Sequence, residues 1–316
     1  MNESPSVGGE RNPDSAETMD LLITLHRKLQ WTVDVFHLRP LAQRVFRGLL
    51  AHRYREGRLV RATQNGREWW LDTEVALRGE FAEYETIEWL RGVVKPGMTV
   101  VDVGANVGQM TLEMAHLVGP RGKVFAIEPA PGNVRILREH IRGNGFDDRV
   151  TVIEAACCEN DGGSIDLTVF GSATDTVGSG HTIMAEAASA AAPHALPTLS
   201  LRVPTVSLDA LCERCAIRPG VLKIDVEGAE RSVLEGARRI LAQDRPRLRF
   251  GFHPFAFADP AAASAGIRAI LAEARYRIDE TADETAFSLA EYEAFPDDNR
   301  PLPRVRAQDS KGSAQP

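Results

Sequence analysis

Three stretches of the sequence hold residue types that could do chemistry together. The first is Val100-Val101-Asp102-Val103-Gly104-Ala105-Asn106-Val107-Gly108. Its apolar run predicts a buried strand, Gly104 a tight turn, and Gly108 the approach to a helix. Glycine lets a ligand come close to the backbone, and a helix N-terminus offers free N–H donors. Asp102, Gly104, Asn106 and Gly108 are therefore candidate binding residues for an organic cofactor. The dinucleotide pattern G-x-G-x-x-G fails here, because Asn106 and Gln109 stand at the second and third glycine positions. The second stretch ends in Glu128, directly after the run Lys123–Ile127. A carboxylate at the end of a parallel strand can accept both hydroxyls of a ribose. The third is Val221-Leu222-Lys223-Ile224-Asp225-Val226-Glu227-Gly228-Ala229-Glu230. Lys223 lies between apolar residues, and a buried lysine needs a partner or a shifted pKa. Asp225 and Glu227, two apart, would share a face of an extended chain. Such a pair suits proton abstraction or a divalent cation. Either residue could instead favour the N-terminus of the next helix.

These residues need a scaffold that ends several strands along one edge. From Met98 the sequence alternates short apolar runs with helical periods. Strands are predicted at Thr99–Val103, Lys123–Ile127, Val150–Ile153, Val221–Ile224 and Leu248–Phe252, with final strands at Arg275–Asp279 and Ala286–Leu289. Helices are predicted over Val107–Leu117, Val134–Ile141, Ala229–Leu241 and Ile267–Ala274. This alternation implies an α/β fold with a parallel sheet covered on both faces, and ligands bind beyond the carboxyl ends of its strands. Ser164–Phe170 and Leu199–Val206 alternate like an antiparallel pair. Upstream, Asn65-Gly66 between Arg58–Thr63 and Arg67–Thr73 marks a hairpin, and a helix follows over Gly79–Val93. Before it, Leu22, Leu25, Leu29, Val33 and Phe36 form one apolar face of a helix, and Leu41, Val45 and Leu49 continue the pattern after Pro40. The expected organisation is a disordered start over 1–18, a helical and hairpin extension over 19–95, a catalytic domain over 96–296 with a flexible insertion at 171–198, and a disordered tail over 297–316.

Composition narrows the function classes. Of 316 residues, 43% are hydrophobic and 26% charged, which suits a globular domain. Four cysteines exclude a disulfide scaffold. A net charge of -7 argues against a nucleic-acid partner. Between Arg27 and Arg61, however, nine Lys/Arg face two acids. These basic helices could pack on the core, form a homodimer contact, or touch an anionic membrane surface. With neither a secretory signal nor a membrane span read in the chain, a cytoplasmic setting is expected.

The strings VVDVGANVGQ, FAIEP and VLKIDVEGAERSVLEGA, in this order, resemble the FkbM family of methyltransferases. The form D-x-G-x-N-x-G looks like the first motif of class I S-adenosylmethionine-dependent methyltransferases. The resemblance covers roughly residues 67–280 and includes Leu208-Asp209 and Tyr84-Glu85. It implies a Rossmann-like, seven-stranded class I sheet with helices on both faces, and S-adenosylmethionine as methyl donor. It adds Glu85 to the cofactor residues. It implies O-methylation of a hydroxyl on a sugar, a glycan or a secondary metabolite. An N-methyltransferase and a non-catalytic cofactor-binding module acting through a partner stand as alternatives. One departure is Gly251, where the family often carries an acidic residue ahead of the pair matched by His253-Pro254.

A hydroxyl acceptor calls for a general base. Asp225 and His253 are the candidates, with Lys223 beside them and His181 weaker. His253 has the more suitable ordinary pKa. The adenine should lie along Glu154–Asp161, with an apolar residue such as Ala156 against the ring and Glu154, Glu159 or Asp161 at its amino group. A divalent metal is possible through Asp225 and Glu227 but has no further support. Cys157 and Cys158 read as packing residues. Cys212 and Cys215 would share a helix face without forming a zinc or redox site.

Overall fold

The computed structural model describes residues 59–78, 84–170, 198–279 and 290–297. The two basic helices, His181, the 171–197 part of the insertion and the expected strand Ala286–Leu289 lie outside these residues. The described chain begins with a hairpin, β1 (Leu59–Gln64) and β2 (Arg67–Asp72). Its two-residue turn has Asn65 at φ 51° and Gly66 at φ 77°. Two positive φ values define the turn whose twist matches paired strands, which is why Asn-Gly stands there. Helices α1 (Thr73–Arg78) and α2 (Tyr84–Val93) follow.

The main sheet uses β3 (Thr99–Val103), β4 (Lys123–Ile127), β5 (Val150–Ile153), β9 (Val221–Ile224), β10 (Arg247–Phe252), β11 (Tyr276–Asp279) and β12 (Ala290–Pro296). Its order is β11-β12-β10-β9-β3-β4-β5. The five strands from β10 to β5 are parallel, and β12 inserts antiparallel between β10 and β11. This is a Rossmann-like class I sheet. The seven strands expected of that class are present, and β12 is the antiparallel one among them. The last strand among the described residues, β12, directly follows the stretch where the sequence predicts one. Tyr292 and Ala294 alternate inward and are buried, and Tyr292 stacks on Phe250 at 5.6 Å. A second sheet of order β6-β8-β7 joins β6 (Ala156–Cys157), β7 (Ser164–Phe170) and β8 (Thr198–Val206).

Helices cover both faces. On one face, α3 (Gln109–Val118) and α4 (Pro131–Gly143) share a core with the hairpin, α1 and α2. On the other lie α5 (Leu208–Arg214), α6 (Glu230–Glu235), α7 (Arg238–Gln243) and α8 (Pro260–Glu273). Successive strand residues point to opposite faces, so Val101 and Val103 join one core and Val100 the other. The predicted helix Ala229–Leu241 is broken in two at Gly236. A Cβ there would lie 2.4 Å from the Cys158 carbonyl oxygen, so the loop after β6 packs against bare backbone. Cys212 is buried within α5, whereas Cys215 is its exposed C-cap.

The hairpin is fastened by polar side chains. Glu113 of α3, buried, accepts from Arg67 Nε at 3.2 Å and Arg91 Nε at 2.9 Å. His140 accepts from the Asp72 N–H at 2.7 Å through Nε2 and donates to the Val107 carbonyl at 2.7 Å through Nδ1. Asn144 bonds both backbone groups of Trp70. Trp69 packs edge-on against His116 and Phe146.

Candidate active site

The pocket opens beyond the carboxyl ends of β3, β4 and β9, where the parallel strands leave free loops. Its floor is the turn from Gly104 to Gly108. Gly104, Asn106 and Gly108 all have positive φ, at 78°, 50° and 94°. A Cβ on Gly104 would sit 1.8 Å from the Asp225 carbonyl oxygen, and one on Gly108 2.3 Å from Leu137 Cδ1. Both glycines are thus required by conformation and by close approach. Asp102 is corrected: it is fully buried behind the turn, does not line the pocket, and accepts from Thr111 Oγ1 at 2.6 Å. Its alternation along β3 sends it into the core under α3, where it holds that helix to the strand.

Glu128 ends β4 and lines the pocket. Its carboxyl accepts from the backbone N–H groups of Asn106 at 2.9 Å and Ala130 at 3.0 Å, and from Asn133 Nδ2 at 3.1 Å. Burial pushes its pKa up to about 6, against the pull of these three donors. Asn133 Oδ1 is buried and has no partner among the described residues, which leaves an acceptor beside Glu128 for a ligand donor. Ala155, Ala156, Cys157 and Leu167 form an apolar wall. Burial keeps the Cys157 thiol neutral. The residues expected at the adenine amino group are elsewhere. Glu154 pairs with Arg138 at 3.2 Å, Asp161 with Arg214 at 2.7 Å, and Glu159 with Ser232. None of the three lines the pocket. Glu85 is exposed in the first turn of α2, where Thr86 and Ile87 turn inward, and it too is absent from the lining.

A charged group forms the opposite side. Lys223, 2% exposed, donates to Asp225 Oδ2 at 3.2 Å. Burial alone would raise the Asp225 pKa, but the charges of Lys223 and His253 hold it below the usual range. Glu227 is raised, by burial and then by the charges of Asp225 and Glu230 working against His253. His253, after β10, places Nε2 3.7 Å from Asp225 Oδ1 and 3.7 Å from Glu227 Oε2. Its Nδ1 meets Glu230 Oε1 at 2.6 Å. Burial would lower its pKa, yet the Glu230 hydrogen bond and the three carboxylates push it up to about 9. His253 therefore carries its proton at neutral pH and stands behind Asp225 and Glu227, not on the lining. That corrects its reading as the base. Asp225 and Glu227 do converge, but not by strand alternation. The strand stops at Ile224, and Glu227 has φ 51°. Neither caps α6, whose N-cap is Ala229 with no side-chain bond. Among the described residues, no group of three or more His, Cys, Asp or Glu is arranged to hold a metal ion.

The family model for the methyltransferase FkbM domain matches residues 102–278. The chain belongs to the FkbM methyltransferase family. The 31-O-demethyl-FK506 methyltransferase FkbM of Streptomyces tacrolimicus is 32% identical over 176 residues, 49% of this chain and 64% of that protein. A ribosomal protein L11 methyltransferase of Carboxydothermus hydrogenoformans is 40% identical over 68 residues, 22% of each. The chain thus spans less than two thirds of either relative. Among solved structures, an FkbM methyltransferase from Methylobacillus flagellatus is similar with a TM-score of 0.39 and 19% identity, over 71% of this chain and 52% of that one. A SAM-dependent O-methyltransferase from Thermotoga maritima gives 0.41 and 14%, over 78% and 80%.

Membership of the FkbM family implies S-adenosylmethionine as the methyl donor. The residues present fit it: a glycine turn that admits backbone contact, a carboxyl at the end of β4, the open acceptor on Asn133 and an apolar wall for a flat ring. Asn133, Gln109 and Leu167 line the pocket but were not singled out from the sequence. Asn133 could have been found, since it lies in the first turn of the helix that follows Glu128. Leu167 could not, because only the fold brings β7 to this wall.

Proposed function

We propose that this enzyme O-methylates a hydroxyl of a sugar, a glycan or a secondary metabolite. The observation that carries the proposal is the pair Asp225 and Glu227, both lining the cofactor pocket beside the glycine turn. S-adenosylmethionine supplies an activated methyl when bound. A hydroxyl at neutral pH is a poor nucleophile and needs a group to take its proton. Glu227, raised above the usual carboxylate range, has the greater proton affinity and is the acceptor. Asp225, held ionised by Lys223, orients the hydroxyl. The O-demethyl compound in the name of the S. tacrolimicus relative is in line with this reading. The enzyme is taken to work in the cytoplasm on a small-molecule or glycan acceptor, without nucleic acid. The basic stretch from Arg27 to Arg61 is proposed as a homodimer or membrane-surface contact.

The test is a methyl-transfer screen of hydroxylated glycans and metabolites, with and without magnesium. Wild type is run beside Asp225→Asn and Glu227→Gln. Each substitution should lower turnover by at least about a hundredfold, within the usual range for general-base loss. Affinity for S-adenosylhomocysteine should stay within about twofold. Wild-type turnover in both variants, or methylation confined to amines, would overturn the proposal.

A further inference from the structure

Glu230, the first residue of α6, has a fully buried side chain. Its Oε1 accepts from the Gly228 N–H at 3.0 Å and meets His253 Nδ1 at 2.6 Å. Its Oε2 is buried with no partner among the described residues. The methyl-transfer reading makes no use of this residue. We propose that Glu230 is a positioning residue: it holds a protonated His253 with Nδ1–H donating to Glu230, so that Nε2–H points between Asp225 and Glu227.

The inference rests on the reading of Asp225 and Glu227 given above, and the geometry supplies its reason. Two carboxylates gathered at one wall repel each other. A ring N–H 3.7 Å from an oxygen of each offsets that repulsion and lets both face one acceptor. The groups that face His253 are Asp225 and Glu227 after β9, with Lys223 behind Asp225, and Glu230 from α6. The turn after β10 contributes the uncharged ring of Phe255, 5.6 Å away. The ring keeps its proton throughout, and the proton of the hydroxyl goes to Glu227. A histidine fixed at one nitrogen has the direction of its other nitrogen determined, which is how carboxylates orient imidazoles elsewhere.

The test is NMR titration of the histidine rings in the full cofactor-free chain, with His253→Gln identifying the signal. In wild type, His253 should hold both ring protons at neutral pH and titrate near 9. Glu230→Gln should bring that midpoint down by about one pH unit or more, and Glu230→Asp should recover part of it. Affinity for S-adenosylhomocysteine should change less than about threefold in either variant, showing an intact pocket. An unchanged His253 titration in Glu230→Gln would overturn the proposal. So would a wild-type ring that is neutral at pH 7, a reading that stands even if Glu230→Gln fails to fold. Neither measurement needs an acceptor, so a failed methylation screen would count against the methyl-transfer reading alone.

Discussion

Glu128, which we propose binds the cofactor's ribose, meets two demands that pull its proton in opposite directions. Burial raises its pKa to about 6, while recognition of ribose hydroxyls is strongest with an ionised carboxylate. As pH falls through about 6, the cofactor-free protein takes up a proton that the bound form must release. Calorimetric titration with S-adenosylhomocysteine should therefore show affinity weakening below that pH, by up to about tenfold per pH unit. Glu128→Ala should weaken binding by about 10- to 100-fold at pH 8, the scale of one or two hydrogen bonds to a charged group. Glu128→Gln should flatten the pH dependence. A flat wild-type profile would take Glu128 out of ribose recognition.

At the scale of elements, one side chain ties the hairpin to the cofactor turn. His140 reaches Asp72 in β2 with one nitrogen and Val107 in the glycine turn with the other. The bond from Asp72 requires the neutral ring, because Nε2 must accept, and burial lowers the ring's pKa to about 4. His140→Leu would leave a buried N–H and a buried carbonyl unpaired, a cost of about 1–3 kcal/mol for each. Urea unfolding should show that loss, and S-adenosylhomocysteine affinity should fall several-fold as the turn loosens. Unchanged affinity would mean that the turn holds its shape without the hairpin. This tie was not legible in the sequence, because it joins positions 68 apart. Much else was. The runs Thr99–Val103, Lys123–Ile127, Val150–Ile153 and Val221–Ile224 form strands with those same limits, since short runs rich in β-branched residues suit a buried parallel sheet. The glycine turn, Glu128, Ala156, Lys223, Asp225 and Glu227 were all read from the sequence, and all line the pocket. What failed depended on distant partners. Arg138, Ser232 and Arg214 draw Glu154, Glu159 and Asp161 away. The Asp209 N–H donates to the Gly236 carbonyl and the Asp209 carboxylate accepts from the Arg239 and Ile240 N–H groups, at a break in a helix that periodicity alone would continue. His253 has the composition of a base, and only the three carboxylates around it make it a cation.

For the whole molecule, two histidines set opposite limits on stability. His140 has a folded pKa near 4, below its ordinary 6.5, so its contribution is complete above 6.5 and is lost as pH falls to about 4. His253 is raised to about 9, so its contribution is complete below 6.5 and is lost as pH rises to about 9. Glu128, raised from 4.5 to about 6, offsets part of the acid loss, because the folded state takes up its proton first. Its shift is the smaller one, so His140 prevails. Unfolding free energy measured from pH 4 to 10 should peak near neutrality. The alkaline limb should flatten in His253→Gln, and an unaltered limb would remove His253 from the balance. The docked hairpin also decides what light reports. Of the four tryptophans, Trp69 and Trp70 lie in β2 and Trp89 in α2, and none follows Trp89 in the chain. The seven-stranded sheet is therefore dark at tryptophan wavelengths. With Trp31 replaced by Phe for this measurement, emission watches the hairpin and α2, whereas far-ultraviolet dichroism watches the helices and the sheet. On acidification the emission maximum should shift before the dichroism changes, and the gap between the two curves would measure how far the hairpin can part from a sheet that is still folded.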